Sequence, residues 1–177
     1  YNMTKQHLLF LGMTSLVLAG CKTTWEGSQW IELPEGLYHG FVQNGLPHGN
    51  GVMKFKDGNL YRGKFKNGHM HGSGVFEWTS GSHYKGHYWE GRRQGKGTYT
   101  WPNGAVYKGD YKAGTREGKG QLKLPGGKRY KGAFVSGKRH GKGVLRHPDG
   151  HVDRGLWKDG KLIIETPQKT PFFYSQN

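Results

Sequence analysis

The residues that could do chemistry in this chain are mostly basic, and they recur at a fixed spacing. There are 27 Lys and Arg against 12 Asp and Glu, a formal net charge of +15. Such an excess favours anionic partners, although it also keeps an aromatic-rich sheet soluble. Three columns with a 23-residue period are the predicted anion-binding residues: Arg62, Lys85, Lys108, Lys131 and Arg154; Lys96, Lys119 and Lys142; and Arg93, Arg116 and Arg139, which we assign to loops beside the same face.

No catalytic constellation accompanies these cations. Cys21 is the single cysteine, the acids do not recur as a pair at any fixed position, and no serine stands in a Gly-x-Ser-x-Gly context. The Gly-x-Gly pairs lie inside predicted hairpins rather than between a strand and a helix, so they do not indicate a phosphate-binding loop. We therefore expect no enzyme and no cofactor.

The ten histidines are interpreted as structural or solvent-facing. Three of them precede a glycine at one repeat position, where the imidazole is expected to bond within the loop: His48, His71 and His140. A second group in adjacent copies could gather a transition metal in principle: His69, His71, His83 and His87. Dispersed histidines in a basic chain are more often exposed to solvent, so we predict no metal site.

The elements that must position these residues are repeats. Tyr38, Tyr61, Tyr84, Tyr107 and Tyr130 fall 23 residues apart, and Asp153 stands where a sixth Tyr would be. With each Tyr as position 0, glycine recurs at +2, +7, +11, +13 and +20 and accounts for most of the 32 glycines. A fixed period of this length is typical of a stacked-repeat fold.

Each repeat contains two turn signals, such as Asn67-Gly68 at +6/+7 and Asp57-Gly58 at +19/+20. These dipeptides tolerate the positive φ of tight hairpins and predict two short antiparallel strands per repeat. No window has a sustained 3.6-residue apolar period, so essentially no helix is expected after Cys21.

Period-two parity predicts one face of rings and glycines and an opposite face that is polar and basic. The glycines at +2, +11 and +13 are expected on the ring face, where a ring can lie flat over bare backbone. The predicted aromatic face, or partner groove, contains Tyr38, Tyr61, Phe65, Trp78, Tyr84, Tyr88, Trp101, Tyr107, Tyr111, Tyr130 and Phe134. Sheet curvature or a second copy would cover this face, and otherwise it is left as a groove; because an uncovered face of this length would be a sticky patch, some covering is expected.

The segment YRGKFKNGHMHGSGVFEWTSGSH (residues 61–83) resembles a MORN repeat, with Tyr-x-Gly, a glycine in mid-repeat and then Gly-x-Gly. The likeness covers Tyr38 to about Gly160. Asp153 in place of Tyr and Val42 in place of the aromatic at +4 depart from it, both in end copies. The resemblance implies an all-β, elongated single-layer solenoid of stacked antiparallel hairpins. It also implies association with membranes or proteins, or dimerisation.

The N-terminal region predicts export. Lys5, an apolar run from Leu8 to Leu18 and small residues before Cys21 describe a signal peptide, and Leu18-Ala19-Gly20-Cys21 resembles a bacterial lipobox. The predicted organisation is a signal peptide with a short helix (1–20), a lipid anchor and tether (21–33), an array (34–162, copies from 38, 61, 84, 107 and 130 and a partial one from 153) and a capping tail (163–177). Lys22 favours the outer over the inner membrane of the envelope by resemblance to sorting rules.

Three functional hypotheses follow. The first is a non-catalytic, membrane-anchored scaffold that binds an unidentified envelope protein through the aromatic groove or a sheet edge. The second is direct binding of anionic lipid or lipopolysaccharide by the basic columns. Nucleic-acid binding ranks last and applies if the chain is not exported. The sequence leaves open whether the chain forms a homodimer. Membrane contact is expected through lipidated Cys21.

Overall fold

The computed structural model describes residues 30–166. They form one open antiparallel sheet in which each strand pairs with its neighbours in sequence. The predicted signal helix, Cys21 and the tail beyond residue 166 lie outside the described residues. The strands are β1 (Ile31–Leu33), β2 (Gly36–Gln43), β3 (Leu46–Phe55), β4 (Leu60–Lys66), β5 (His69–Glu77), β6 (His83–Trp89), β7 (Arg92–Thr100), β8 (Val106–Lys112), β9 (Thr115–Lys123), β10 (Arg129–Val135), β11 (Lys138–Arg146), β12 (Val152–Lys158) and β13 (Lys161–Glu165).

This architecture confirms the predicted all-β solenoid of hairpins. The one helical turn in the described range is a 3₁₀ turn at Pro125–Gly127. No helix in residues 30–166 combines the length and apolar character that crossing a membrane requires. The sheet begins at β1 and ends at β13, so it extends slightly beyond both predicted limits of the array.

The tight turn at +6/+7 has the predicted backbone. Asn67 has φ 49° and Gly68 has φ 81°, the left-handed pair of a type I′ hairpin. Glu90, Ala113 and Ser136 adopt the same φ at the equivalent position, although their side chains favour it less. Because the type I′ twist matches the twist of the flanking strands, the repeat geometry imposes this turn even where Asn is missing.

The glycine at +11 corrects the predicted assignment of faces. Gly72 has φ 60° and stands in a bulge, where the pairing of β4 with β5 shifts between Gly63 and Lys64. A Cβ on Gly72 would lie 3.3 Å from Cδ of Lys64, on the polar side of the sheet. Rings therefore cover the glycines at +2 and +13, and the glycine at +11 is needed for its backbone conformation.

The core consists of tyrosines lying on paired glycines. Tyr61 is fully buried and lies over Gly63 of its own strand and Gly74 of the next, which pair directly. A Cβ on Gly74 would lie 2.5 Å from Cε2 of Tyr61, so only glycine fits beneath the ring. The Tyr61 hydroxyl donates a hydrogen bond to the Lys64 carbonyl at 2.9 Å. Phe65 packs edge-on against Tyr61 at 5.0 Å between ring centroids.

Candidate functional site

The aromatic face is closed within one chain, which corrects the prediction of a partner groove there. The five tyrosines at position 0 are 0–1% exposed, and the rings at +4 are 1–4% exposed. Burial raises the pKa of Tyr84 and Tyr107 to about 12, so these phenols are neutral hydrogen-bond donors. Trp78 and Trp101 remain partly buried beside this core and can still contact a partner.

The arginines at +9 lie on this aromatic face, which corrects their assignment to the basic face. The Arg116 guanidinium lies 5.4 Å from the Tyr107 ring centroid, and that of Arg139 lies 4.4 Å from the Trp157 ring centroid. Arg93 lies over Tyr111 at 5.2 Å. These cation–π contacts shield the rings from water, so the three arginines act as lids on the core rather than as anion ligands.

The same arginines connect the tight turns of successive repeats. Arg116 Nη2 donates to the Gly137 carbonyl at 2.5 Å, and the Gly137 N–H donates to the Arg116 carbonyl at 3.0 Å. Arg93 and Arg139 make the equivalent side-chain bonds to Gly114 and Gly160. Each of the three arginines therefore joins two copies through side chain and backbone together.

A sequence signal for this placement existed. Position +9 lies in a strand and pairs directly with the buried aromatic at +4, as Arg116 does with Tyr111 and Arg139 with Phe134. Counting outward from the two-residue turn at +6/+7 pairs +5 with +8 and +4 with +9, so the turn itself places +9 on the ring face without counting across the bulge at +11. The assignment of +9 to a loop is therefore wrong.

The opposite face contains a groove of about 1000 Å³, and its floor is a row of glycines. Gly86 pairs with Gly74 and Gly97, and the row continues without interruption across the neighbouring strands. A Cβ on any of these glycines would point toward the tyrosine rings on the other face, so only backbone faces the groove along this row. Two rows of lysines flank the floor: Lys85, Lys108 and Lys131 at +1, and Lys96, Lys119 and Lys142 at +12.

The two lysine rows lie on opposite sides of the glycines because the strands are antiparallel. Lys108 pairs with Thr98 and Gln121, and Lys119 pairs with Ala133. No groove lysine lies directly across from another, which limits repulsion between the lysines. The structure thus brings together six of the predicted anion-binding residues in one surface.

Acidic groups are absent from the lining of the groove. Asp110 lies beside it, with Oδ1 2.5 Å from Lys96 Nζ and Oδ2 accepting a hydrogen bond from the Lys119 N–H at 3.1 Å. Arg62 and Arg154 are in the +1 column but outside the groove. Arg62 forms an exposed ion pair with Glu77 at 3.2 Å. The groove is therefore positively charged over the middle repeats, with the charge of Lys96 offset by Asp110.

Two of the three histidines at +10, His48 and His71, are not placed as predicted. His48 Nδ1 is buried without a hydrogen-bond partner in the described chain, and His71 packs against Trp89 with 4.6 Å between ring centroids. The expected bonding within the loop is therefore not what holds these two rings. His69, His71, His83 and His87 do not gather at ligand distance in the part of the chain that the structure describes.

A search of curated proteins finds no significant match. Among solved structures, the chain is similar to the TCP domain of Drosophila melanogaster SAS-4 in complex with a proline-rich motif of Ana2. The identity is 15%, coverage is 82% of this chain and 86% of that one, and the TM-score is 0.47. The TCP10c domain of Drosophila melanogaster Sas-4 matches at 18% identity over 76% and 83% of the two chains, with a TM-score of 0.42.

The family model for the MORN repeat matches five consecutive 23-residue segments: 38–60, 61–83, 84–106, 107–129 and 130–152. These segments begin at the tyrosines that lie on the glycine row, and together they cover more than half of the chain. The chain belongs to the MORN-repeat family.

Proposed function

We propose that this protein is a non-catalytic, lipid-anchored scaffold of the bacterial cell envelope that holds an acidic segment of a partner protein in the lysine groove. The observation that carries the proposal is the groove itself, with six lysines in two rows over a glycine floor and no acid in its lining. Fixed cations of one sign attract and orient an anionic ligand.

The spacing of the lysines favours an extended chain as the ligand. Equivalent lysines of successive repeats are two strands apart, which is about 10 Å at the usual separation between strands. A peptide in the polyproline II conformation advances about 3.1 Å per residue with three residues per turn, so acids at every third position lie on one face about 9 Å apart. The bare floor lets a peptide backbone approach closely between the lysine rows.

A recessed cation site fits a linear polyanion better than it fits a flat lipid surface. A planar bilayer would touch the ends of the lysine side chains but could not fill the groove. Anionic lipid and lipopolysaccharide are therefore the competing ligands, to be separated by experiment. The envelope location rests on the lipobox-like tetrad that ends at Cys21, and a Cys21→Ser variant is expected to leave the membrane fraction.

The test uses the chain from Lys22 with a fluorescent peptide that carries Glu at every third position. A Lys108→Glu/Lys119→Glu/Lys131→Glu variant should bind the peptide at least about tenfold more weakly by fluorescence anisotropy. The matched control reverses three exposed lysines at +5, outside the groove: Lys66→Glu/Lys112→Glu/Lys158→Glu. It has the same net charge and should bind almost as the unaltered chain does.

Two outcomes would contradict the proposal. Equal losses in both variants would mean that total charge, rather than the groove, determines binding. The second outcome is that the chain does not bind the peptide but sediments with phosphatidylglycerol vesicles, and that this sedimentation depends on the groove lysines. That result would support the lipid hypothesis instead. A peptide of the same composition with its acids clustered is the control for spacing.

A further inference from the structure

The C-terminal end of the aromatic face contains three polar residues that replace the pattern of the other copies. Asp153 stands at position 0, where the other copies have Tyr, and His147 stands at +17. The earlier +17 residues are all apolar: Phe55, Trp78, Trp101 and Leu124. His151 lies in the loop between them. Positions 0 and +17, which hold Tyr and apolar residues in the earlier copies, thus hold potential metal ligands at this end of the array.

The three side chains converge on one point. His147 Nε2 lies 2.8 Å from Asp153 Oδ2, and His151 Nε2 lies 2.7 Å from Asp153 Oδ1. The three ligand atoms all lie within 4.8 Å of one another. Metal–ligand bonds of about 2.0–2.1 Å in a tetrahedron place ligand atoms about 3.3 Å apart. To reach that geometry the two His–Asp distances lengthen by about half an ångström, and the widest separation, at most 4.8 Å, shortens by up to about 1.5 Å.

The backbone holds the loop independently of any ion. The His147 N–H donates to the His151 carbonyl at 2.9 Å, and the His151 N–H donates to Asp149 Oδ1 at 2.9 Å. His147 and Asp153 are partly buried, whereas the side chain of His151 is 58% exposed. Asp153 in β12 and His147, which directly follows β11, thus form the inner part of the site, and His151 closes it from the solvent side, where water can complete the coordination.

We propose that His147, His151 and Asp153 bind a divalent transition-metal ion of the zinc class at the C-terminal end of the array. Two imidazoles and one carboxylate are a donor set that zinc takes readily, with a fourth position for water or another ligand. Arg139 is the cation facing Asp153, but its guanidinium is engaged by the Gly160 carbonyl and the Trp157 ring. Such an ion would join β12 to the loop that precedes it and stabilise the last repeats.

The competing explanation is a hydrogen-bonded His–Asp–His cluster that only closes the hairpin. Isothermal titration calorimetry distinguishes the metal site from the hydrogen-bonded cluster. Zinc chloride is titrated into the full chain, which carries no affinity tag. We expect one tight ion per chain, and binding at least about tenfold weaker in Asp153→Asn and in His147→Gln. Asp153→Asn keeps the shape and a hydrogen-bond acceptor, so its fold can be verified by the circular dichroism of the sheet.

Exposed histidines elsewhere supply the matched control. His69→Gln and His83→Gln remove a histidine each without touching the cluster, so they should leave the tight site unchanged. Cobalt(II) gives a second measurement, because the visible spectrum of the bound ion should show mixed nitrogen and oxygen ligation in low coordination. Zinc binding of equal affinity in Asp153→Asn, or no stoichiometric binding by the unaltered chain, would overturn the proposal.

Discussion

At the scale of single residues, the fold depends on the absence of a side chain beneath each tyrosine. A Cβ on Gly120 would lie 2.5 Å from Cε2 and 2.6 Å from the hydroxyl oxygen of Tyr107. The ring is buried among its neighbours and cannot move away, so an added methyl group would strain the core. This requirement explains why the glycines at +2 and +13 accompany the tyrosine in all five copies.

Tyr88 has a hydroxyl that the structure does not use. Its oxygen is buried and has no hydrogen-bond partner among the described residues, and Phe65 and Phe134 occupy the same repeat position. Removing an unsatisfied buried polar group relieves its desolvation cost. We expect Tyr88→Phe to raise the free energy of unfolding by about 1 kcal/mol, measured by urea denaturation.

Tyr84→Phe is the matched control for that substitution. The Tyr84 hydroxyl donates to the His87 carbonyl at 3.1 Å, so its loss should lower the free energy of unfolding by about 1 kcal/mol. The same atom is removed from neighbouring rings with opposite expected signs. Destabilisation of equal size in both variants would show that the Tyr88 hydroxyl has a partner in solution.

The buried phenols predict a loss of stability at high pH. Burial raises the pKa of Tyr38, Tyr84 and Tyr107 to about 12, whereas a tyrosine in the unfolded chain titrates near pH 10. A group with a raised pKa stabilises the folded state fully below its unfolded pKa, and that contribution is lost as the pH rises through the folded value. The urea midpoint should therefore fall steeply between about pH 10 and pH 12.

The Tyr84→Phe variant distinguishes this cause from the deprotonation of lysines, which also titrate in that range. It retains every lysine but lacks one buried phenol, so its midpoint should depend less steeply on pH than that of the unaltered chain. Parallel curves for the two proteins would assign the alkaline transition to another group.

At the scale of elements, the sequence predicted the hairpins well because turn chemistry is local. Asn67-Gly68 favours the left-handed backbone of a tight hairpin turn, and the structure has that turn. The faces of the second strand were harder to predict. A bulge at Gly72 alters the pairing, and the direction that a Cβ on Gly72 would take cannot be read from alternation alone. The lid arginines were misplaced because +9 was not recognised as a strand position.

Each lid arginine should stabilise the two repeats that it joins. Arg116→Gln removes a cation from the Tyr107 ring and a hydrogen bond to the Gly137 carbonyl. We expect a loss of about 1–3 kcal/mol in the free energy of unfolding, because the charge-assisted bond and the ring contact are lost together. Amide hydrogen exchange at Gly137 should become faster, since its N–H bonds to the Arg116 backbone.

Arg92→Gln is the matched control, because Arg92 is exposed on the same type of strand. Its effect should stay within about 0.5 kcal/mol, as for other surface substitutions. If both variants lose the same stability, net charge rather than the lid contact is responsible. Unchanged exchange at Gly137 would count against the connection between turns.

At the scale of the whole molecule, the sequence predicted the lysine columns but not the groove that they line. Column membership follows from a 23-residue period, so Lys85, Lys108 and Lys131 could be predicted to align. Which face encloses a recess depends on how the twist of many strands and their bulges accumulates, and no single repeat encodes that. The partner surface was consequently predicted on the aromatic face, which the structure shows to be packed.

A stacked array should tolerate the removal of a complete copy better than the removal of a single strand. Deleting residues 107–129 joins Val106 to Tyr130 and leaves every position of the repeat in phase. The chain should unfold cooperatively with a lower midpoint, because contacts in such folds are made between neighbours. The groove would lose Lys108 and Lys119, so the dependence of peptide affinity on salt should fall by about a third.

Deleting only residues 107–114 removes fewer residues but should be more damaging. It takes out β8 from Tyr107 onward with its turn and brings β9 next to β7, two strands of the same type with no tyrosine between them. Gly120 in β9 then has no tyrosine over it, although Gly97 in β7 keeps Tyr84, and the lid Arg93 loses the Tyr111 ring and the Gly114 carbonyl. Thermal unfolding followed by circular dichroism compares the two deletions. A higher midpoint for the shorter deletion would contradict a fold built from tyrosine-and-glycine pairs of strands.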